Sequence, residues 1–105
     1  MKTELTNQNF NEIINSAELV IVDFYADWCG PCKMLGRTFD ELLEEDQNIN
    51  ILKVNVDEFP EIAAEYQISS IPAVFAFKNG KVLDNFVGTM PLMSLKDFIQ
   101  RNKSK

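Results

Sequence analysis

The sequence predicts an α/β protein with a mixed central β-sheet of about five strands, flanked on both faces by about four helices. One observation is that two almost continuously apolar stretches, LVIVDFY at residues 19–25 and NILKVNV at residues 50–56, alternate with segments of helical periodicity. Such stretches are typical of parallel strands that are buried on both faces and joined by crossover helices. A second observation is Asn79-Gly80 between two apolar runs, which predicts an antiparallel hairpin near the end of the chain.

The first half of the chain contributes two strands and two helices. Residues 3–5 predict a short first strand, and residues 7–17 predict a helix with Thr6 or Asn7 as its N-cap. Residues 19–25 form the first buried strand. The next helix is expected from Pro31 to about Asp46, because proline suits the first turn of a helix.

The second half begins with the other buried strand, at residues 50–56. A short helix is expected over residues 60–66, and two strands, 73–77 and 82–87, flank the Asn79-Gly80 turn. Apolar residues at helical spacing predict a last helix over residues 91–102. The element order is therefore βαβαβαββα.

The size and charge of the chain indicate how many domains it has and which kinds of binding partner are disfavoured. The 105 residues fit a single domain spanning residues 1–105. A net charge of −6 disfavours binding to nucleic acid through phosphate neutralisation. The sequence shows neither an apolar export segment at its start nor a run long enough to span a membrane. We expect a cytoplasmic monomer that binds neither nucleic acid nor membrane.

The only two cysteines, Cys29 and Cys32, lie in the stretch WCGPC. A zinc site needs three or four protein ligands, and the chain has no histidine, so we expect no metal. A structural disulfide closing so small a ring would stabilise the fold by roughly 2 kcal/mol, against roughly 5 kcal/mol for a hundred-residue loop. A redox couple is the third interpretation, and in a cytoplasmic protein it is favoured over a structural disulfide.

The position of the pair supports redox chemistry. Cys29 falls where a buried strand gives way to a helix, so its sulfur faces unpaired backbone N–H groups and the positive end of the helix dipole. This setting stabilises a thiolate, which is the attacking species in disulfide exchange. Cys32, one turn further on, is expected to be less exposed and to resolve the mixed disulfide. Gly30 and Pro31 set the geometry of the ring and tune the couple.

Several segments together resemble the thioredoxin family. These are VDFYAD followed by WCGPCK, then SSIPAVFAFKNG and FVG, and the similarity runs from about residue 19 to residue 100. The resemblance implies the thioredoxin-like fold and a thiol–disulfide oxidoreductase that acts as an electron carrier. Its partners would be disulfide-containing target proteins and a thioredoxin reductase, and the chain itself would need no cofactor.

Asp23 and Lys53 are charged residues inside the two buried strands. Asp23 is a hydrogen-bonded buried acid, an acid that faces the edge of the sheet or, as the resemblance implies, a carboxyl that exchanges a proton with Cys32. Burial would raise the pKa of Asp23 towards neutrality and so suit that last role. Lys53 is either a snorkelling surface lysine or a neighbour of Asp23 that modulates its charge.

A substrate-binding surface is the last implication of the resemblance. It implies a cis bond at Ile71-Pro72, packed against the cysteines, although most X–Pro bonds are trans. Trp28 is either core packing or part of an apolar docking patch with Ile71, Pro72 and Gly88.

The chain departs from the family pattern in its second helix, where KMLGR places Gly36 and Arg37 near the usual proline. A glutathione-coupled or oxidising relative and a binding subunit without turnover are the alternative functions.

Overall fold

The computed structural model describes residues 1–6 and 9–105. Within these ranges the chain alternates strands and helices in the predicted order, and the elements are β1 (Lys2–Glu4), α1 (Phe10–Ile14), β2 (Leu19–Tyr25), α2 (Gly30–Glu45), β3 (Ile51–Asn55), α3 (Pro60–Glu65), β4 (Ala73–Lys78), β5 (Lys81–Val87) and α4 (Leu92–Lys103).

The strands form one five-stranded sheet in the order β1-β3-β2-β4-β5. β1 pairs with β3 and β3 with β2 in parallel, whereas β2 pairs with β4 and β4 with β5 antiparallel. The parallel half follows from the helical crossovers, which return the chain to the same end of the sheet. The predicted mixed sheet is therefore confirmed.

Each face of the sheet carries its own hydrophobic core. On one face, Ile21 packs with Leu35 and Phe39 of α2 and with Phe98 of α4. On the other face, Phe24 packs in a cluster that includes Phe10 of α1, with Tyr66 beside it. Because both faces are covered, β2 is buried along its central five residues, which explains its nearly continuous apolar sequence.

The first helix is shorter than expected. It spans Phe10–Ile14, and its N-cap is Asn9, whose side chain accepts hydrogen bonds from the N–H groups of Asn11 and Glu12. The predicted cap at Thr6 is therefore wrong, and the other candidate, Asn7, lies outside the described residues. At the far end, the Asn15 side chain donates to the Asn11 carbonyl at 2.7 Å, and the helix stops there rather than at Ala17.

The β4–β5 hairpin turns at Asn79 and Gly80. Their φ angles are 51° and 82°, as expected for the Asn-Gly turn. A Cβ atom on Gly80 would lie 2.1 Å from the amide end of the Asn15 side chain, which would have to move aside. The positive φ is the stronger reason why this position favours glycine.

α2 runs without interruption for 16 residues from Gly30 to Glu45. Gly36 and Arg37 therefore leave the helix continuous, consistent with the absence of a proline from its interior. None of the helices in the described parts of the chain is long and apolar enough to cross a membrane.

Candidate active site

Cys29 and Cys32 form a disulfide at the start of α2, with their Cα atoms 5.3 Å apart. Cys29 is the N-cap residue, and its sulfur accepts a hydrogen bond from the Cys32 N–H at 3.2 Å. Pro31 occupies the first turn, where its missing N–H costs no hydrogen bond. The sequence therefore places the Cys29 sulfur against a backbone donor at the positive end of a helix.

Both sulfurs are covered in this oxidised state. Cys29 is 5% exposed and Cys32 is 4% exposed, so the expected difference in exposure between them is absent. The disulfide joins both side chains into one small cluster, in which Ala26 is buried and Ile71 packs alongside.

The Ile71–Pro72 loop approaches the disulfide from another part of the chain. The Ile71–Pro72 bond is cis, as the resemblance implies, and the Ile71 carbonyl oxygen lies 3.9 Å from the Cys29 sulfur. The Gly88 N–H donates to the Pro72 carbonyl at 2.8 Å, and Gly88 has a φ of 96°. This hydrogen bond joins the end of β5 to the loop beside the disulfide.

Trp28 is the most exposed aromatic feature of this region. Its side chain is 71% exposed, so it is not core packing, and its indole Nε1 donates to the Asp57 carboxylate at 2.9 Å. The sequence reasoning did not identify Asp57. The signal for it lay in topology, because parallel β2 and β3 end at the same edge of the sheet, and Trp28 and Asp57 follow those two ends.

Asp23 is 1% exposed, and within the described part of the chain neither of its carboxyl oxygens has a hydrogen-bond partner. It is therefore not the hydrogen-bonded buried acid of one interpretation. It is not an edge-facing acid either, because β2 is the central strand of the sheet. Desolvation raises the pKa of Asp23 to about 7, partly offset by the positive charge of Lys53 and reinforced by the negative charge of Glu4. Asp23 alternates with Ile21 along β2, so it faces the α2 side of the sheet.

Lys53 lies directly opposite Asp23 in the parallel register of β3 and β2. It is half-buried, and its ammonium group sits 4.3 Å from the centre of the Tyr25 ring, a cation–π contact. Lys53, Tyr25, Cys32 and Gly36 line one groove of about 430 Å³ beside the disulfide. The Lys53 ammonium lies beside α2 at Gly36, where an added Cβ atom would be 3.9 Å from it, an ordinary contact distance.

Comparison with known proteins agrees with this geometry. The chain matches the thioredoxin family model over residues 1–101. It is 46% identical over 92 residues to a thioredoxin of Griffithsia pacifica, covering 87% of this chain and 84% of that protein. It is 39% identical over 100 residues to a thioredoxin of Mycoplasmoides gallisepticum, covering 95% and 100%. The solved structure of oxidised thioredoxin from Plasmodium falciparum superimposes with a TM-score of 0.84 at 36% identity, covering 96% of this chain and 97% of that one.

The fold, with a close cysteine pair at a helix start, is that of a thiol–disulfide oxidoreductase. The chain belongs to the thioredoxin family. Proteins of this family act on disulfides and are recycled by a thioredoxin reductase, and the Cys29–Cys32 pair is consistent with that activity.

Proposed function

We propose that this protein reduces disulfides in target proteins, with Cys29 as the attacking residue, Cys32 as the resolving residue and Asp23 as the proton acceptor for Cys32. The observation that carries the proposal is the position of Cys29 at the N-cap of α2, where its sulfur accepts the Cys32 N–H. A hydrogen bond and a helix dipole both favour the thiolate over the thiol.

In the first step, the Cys29 thiolate of the reduced protein attacks one sulfur of a target disulfide. The new bond joins Cys29 to the target, the target's own S–S bond breaks, and its second sulfur leaves as a thiolate that takes up a proton. The target is then held covalently as a mixed disulfide.

In the second step, Cys32 gives its proton to Asp23 and attacks the Cys29 sulfur. The Cys29–Cys32 disulfide forms, the bond to the target breaks, and the target's remaining sulfur leaves and is protonated. Two electrons have passed from the cysteine pair to the target. A carboxyl with a pKa of about 7 suits this proton transfer, because it accepts and returns a proton near neutral pH.

Docking of the target is supported by the residues around the disulfide. Exposed Trp28 offers an apolar surface, and Ile71 lies against the cysteine cluster. Pro72 has no N–H, so the backbone of the loop is suited to receive an extended segment of the target, with Gly88 bounding the loop on its other side.

Recycling by a thioredoxin reductase is proposed from the general property of the family. Gly30 and Pro31 are proposed to tune the reduction potential of the couple by constraining its ring. A reducing role also favours the cytoplasm, where thiol pairs are kept reduced.

The test is turnover of an insulin disulfide with thioredoxin reductase and NADPH as the source of electrons. The parent protein is expected to turn over, and Cys29→Ser is expected to be inactive. Cys32→Ser is expected to lose turnover but to accumulate a covalent adduct with insulin, visible by mass spectrometry. The matched control is Ser70→Ala, a change of one oxygen outside the cysteine pair, which should turn over like the parent.

The alternative functions predict other outcomes. A binding subunit would keep its partners after both cysteines are replaced and would show no turnover in the parent. A glutathione-coupled or oxidising relative would have a Cys29–Cys32 potential above that of the glutathione pool, whereas a reductant lies well below it. Partner binding without turnover, or a potential above that of the glutathione pool, would contradict the proposal.

A further inference from the structure

Three charged residues form a row across the sheet. Glu4 on β1 lies opposite Lys53 on β3, and Lys53 lies opposite Asp23 on β2. Side chains in register on neighbouring strands project to the same face of a sheet. Lys53 therefore stands between two carboxyl groups, one exposed at the edge of the sheet and one fully buried.

Tyr25 contacts two members of this row, Glu4 and Lys53. It follows Asp23 by two residues on β2, so it lies on the same face. Its hydroxyl donates to the Glu4 carboxylate at 2.6 Å, while Lys53 rests over its ring. The hydrogen bond fixes the negative charge of Glu4 beside the ring that supports the Lys53 ammonium.

We propose that Glu4 is a positioning residue for Asp23 and acts through Lys53. The Glu4 carboxylate attracts the Lys53 ammonium towards β1, so the cation does not hydrogen-bond to Asp23 and does not hold it permanently ionised. This role rests on the proposed function of Asp23 as the proton acceptor for Cys32, and it adds the edge strand to the machinery of the resolving step.

The unpartnered state of Asp23 supports this role. Both of its oxygens lie buried without a hydrogen bond inside the described ranges, although a lysine stands opposite it in the neighbouring strand. A free lysine would be expected to move onto such a carboxylate, because an unpaired buried charge is costly. We attribute the separation to the Tyr25 ring, which the ammonium contacts, and to the Glu4 carboxylate, which is hydrogen-bonded to the hydroxyl of that ring.

Other charged groups near Asp23 do not replace Glu4. The neighbour of Asp23 on β4 is the apolar Val74, and Lys2 on β1 pairs with Asp40 at 2.6 Å. The remaining charges belong to α2 and the loop before it and line the groove beside Lys53, namely Asp27, Lys33, Arg37 and Asp40. Glu4 and Asp23 lie two strand spacings apart, roughly 10 Å in total. The direct repulsion of Glu4 also raises the pKa of Asp23, so the effect exerted through Lys53 has to be separated from it by experiment.

The test is titration of the Asp23 carboxyl by carbon-13 NMR in the oxidised protein, where the disulfide cysteines do not titrate. Glu4→Gln keeps a hydrogen-bond acceptor for Tyr25 but removes the negative charge. The Lys53 ammonium is then attracted only by the Asp23 carboxylate and no longer by residue 4. We expect the midpoint of Asp23 to fall by about half a pH unit. Glu12→Gln on α1 makes the same change in net charge away from the row and should leave the midpoint unchanged.

The same substitution in a Lys53→Met protein separates an effect of Glu4 that acts through Lys53 from a direct effect of Glu4 on Asp23. If Glu4 acts through Lys53, adding Glu4→Gln to Lys53→Met should shift the midpoint by less than half as much as in the parent. An unchanged midpoint in Glu4→Gln, or an equal shift in both backgrounds, would overturn the inference. Neither result depends on turnover, so this test can fail while the insulin assay succeeds, and the reverse also holds.

Discussion

At the scale of single residues, the pKa of the buried acid Asp23 is set by opposing effects. Burial raises its pKa, and Lys53 lowers it again. If Asp23 accepts the proton of Cys32, Asp23→Asn should lengthen the lifetime of the mixed disulfide by about tenfold or more, since a positioned proton acceptor typically contributes at least that much. Quenched-flow trapping of the insulin adduct measures this lifetime.

The first attack is the internal control for this variant. It does not involve Asp23, so the rate of adduct formation by Asp23→Asn should stay close to that of the parent. Equal adduct lifetimes in the two proteins would remove Asp23 from the mechanism.

The same burial makes stability depend on pH. The ordinary pKa of Asp23 is 3.8, which applies to the unfolded chain, and burial raises this pKa to about 7 in the folded protein. Between these values the folded state retains a proton that the unfolded state has lost, so the free energy of unfolding falls as the pH rises, by at most about 4 kcal/mol in total. Urea unfolding of the oxidised protein should therefore show lower stability at about pH 8 than at about pH 5.

Asn at this position carries no titrating proton. Asp23→Asn should accordingly lose this part of the pH dependence and be more stable than the parent at the higher pH. Parallel stability profiles for the two proteins would mean that the pKa of Asp23 is not raised.

Lys53 acts on Asp23 as a nearby positive charge, which favours the ionised carboxyl. Lys53→Met should raise the pKa of Asp23 further above 7 and move the pH profile of the resolving step in the same direction. Carbon-13 titration of the oxidised protein measures the first effect. Lys81→Met, on the exposed β5 strand, removes the same charge elsewhere and should leave the midpoint in place.

At the scale of elements, α2 presents the disulfide and also carries a glycine in its interior. Gly36 has space for a Cβ atom at ordinary contact distance from Lys53, and its φ is helical. Gly36→Ala should therefore raise the free energy of unfolding by about 1 kcal/mol, because alanine loses less backbone entropy in a helix.

Gly80 is the matched contrast, since the same substitution there meets the Asn15 side chain and a positive φ. Gly80→Ala should destabilise the protein in the same denaturation experiment. Stabilisation at Gly80, or destabilisation at Gly36, would contradict this account of the two glycines.

At the scale of the whole molecule, α4 packs against one face of the sheet and covers its hydrophobic core. Phe98 is 2% exposed, and its ring meets that of Phe86 on β5 edge to face, with centroids 4.9 Å apart. Phe98→Ala should lower the free energy of unfolding by about 3–5 kcal/mol, whereas Phe98→Leu, which leaves a smaller cavity, should cost clearly less. Denaturant titration of both variants measures the difference, and equal losses would argue against a packed core at this site.

The strands and most helices could be predicted because their signals are local. Apolar runs identify β2 and β3, and Asn79-Gly80 identifies the hairpin, since each depends on a few consecutive residues. The first helix was placed less well, because several polar residues at its start compete for the cap and only the folded backbone selects Asn9.

By itself, the sequence determined the order of the elements, the placing of both cysteines at a helix start and the membership in the thioredoxin family. The tertiary structure decided which distant residues meet, namely Ile71 beside Cys29, Gly88 beside Pro72, and Glu4 and Asp23 on either side of Lys53. The physical reason is that register between strands far apart in the chain is set by packing both faces of the sheet at once. No local pattern of residues contains that information.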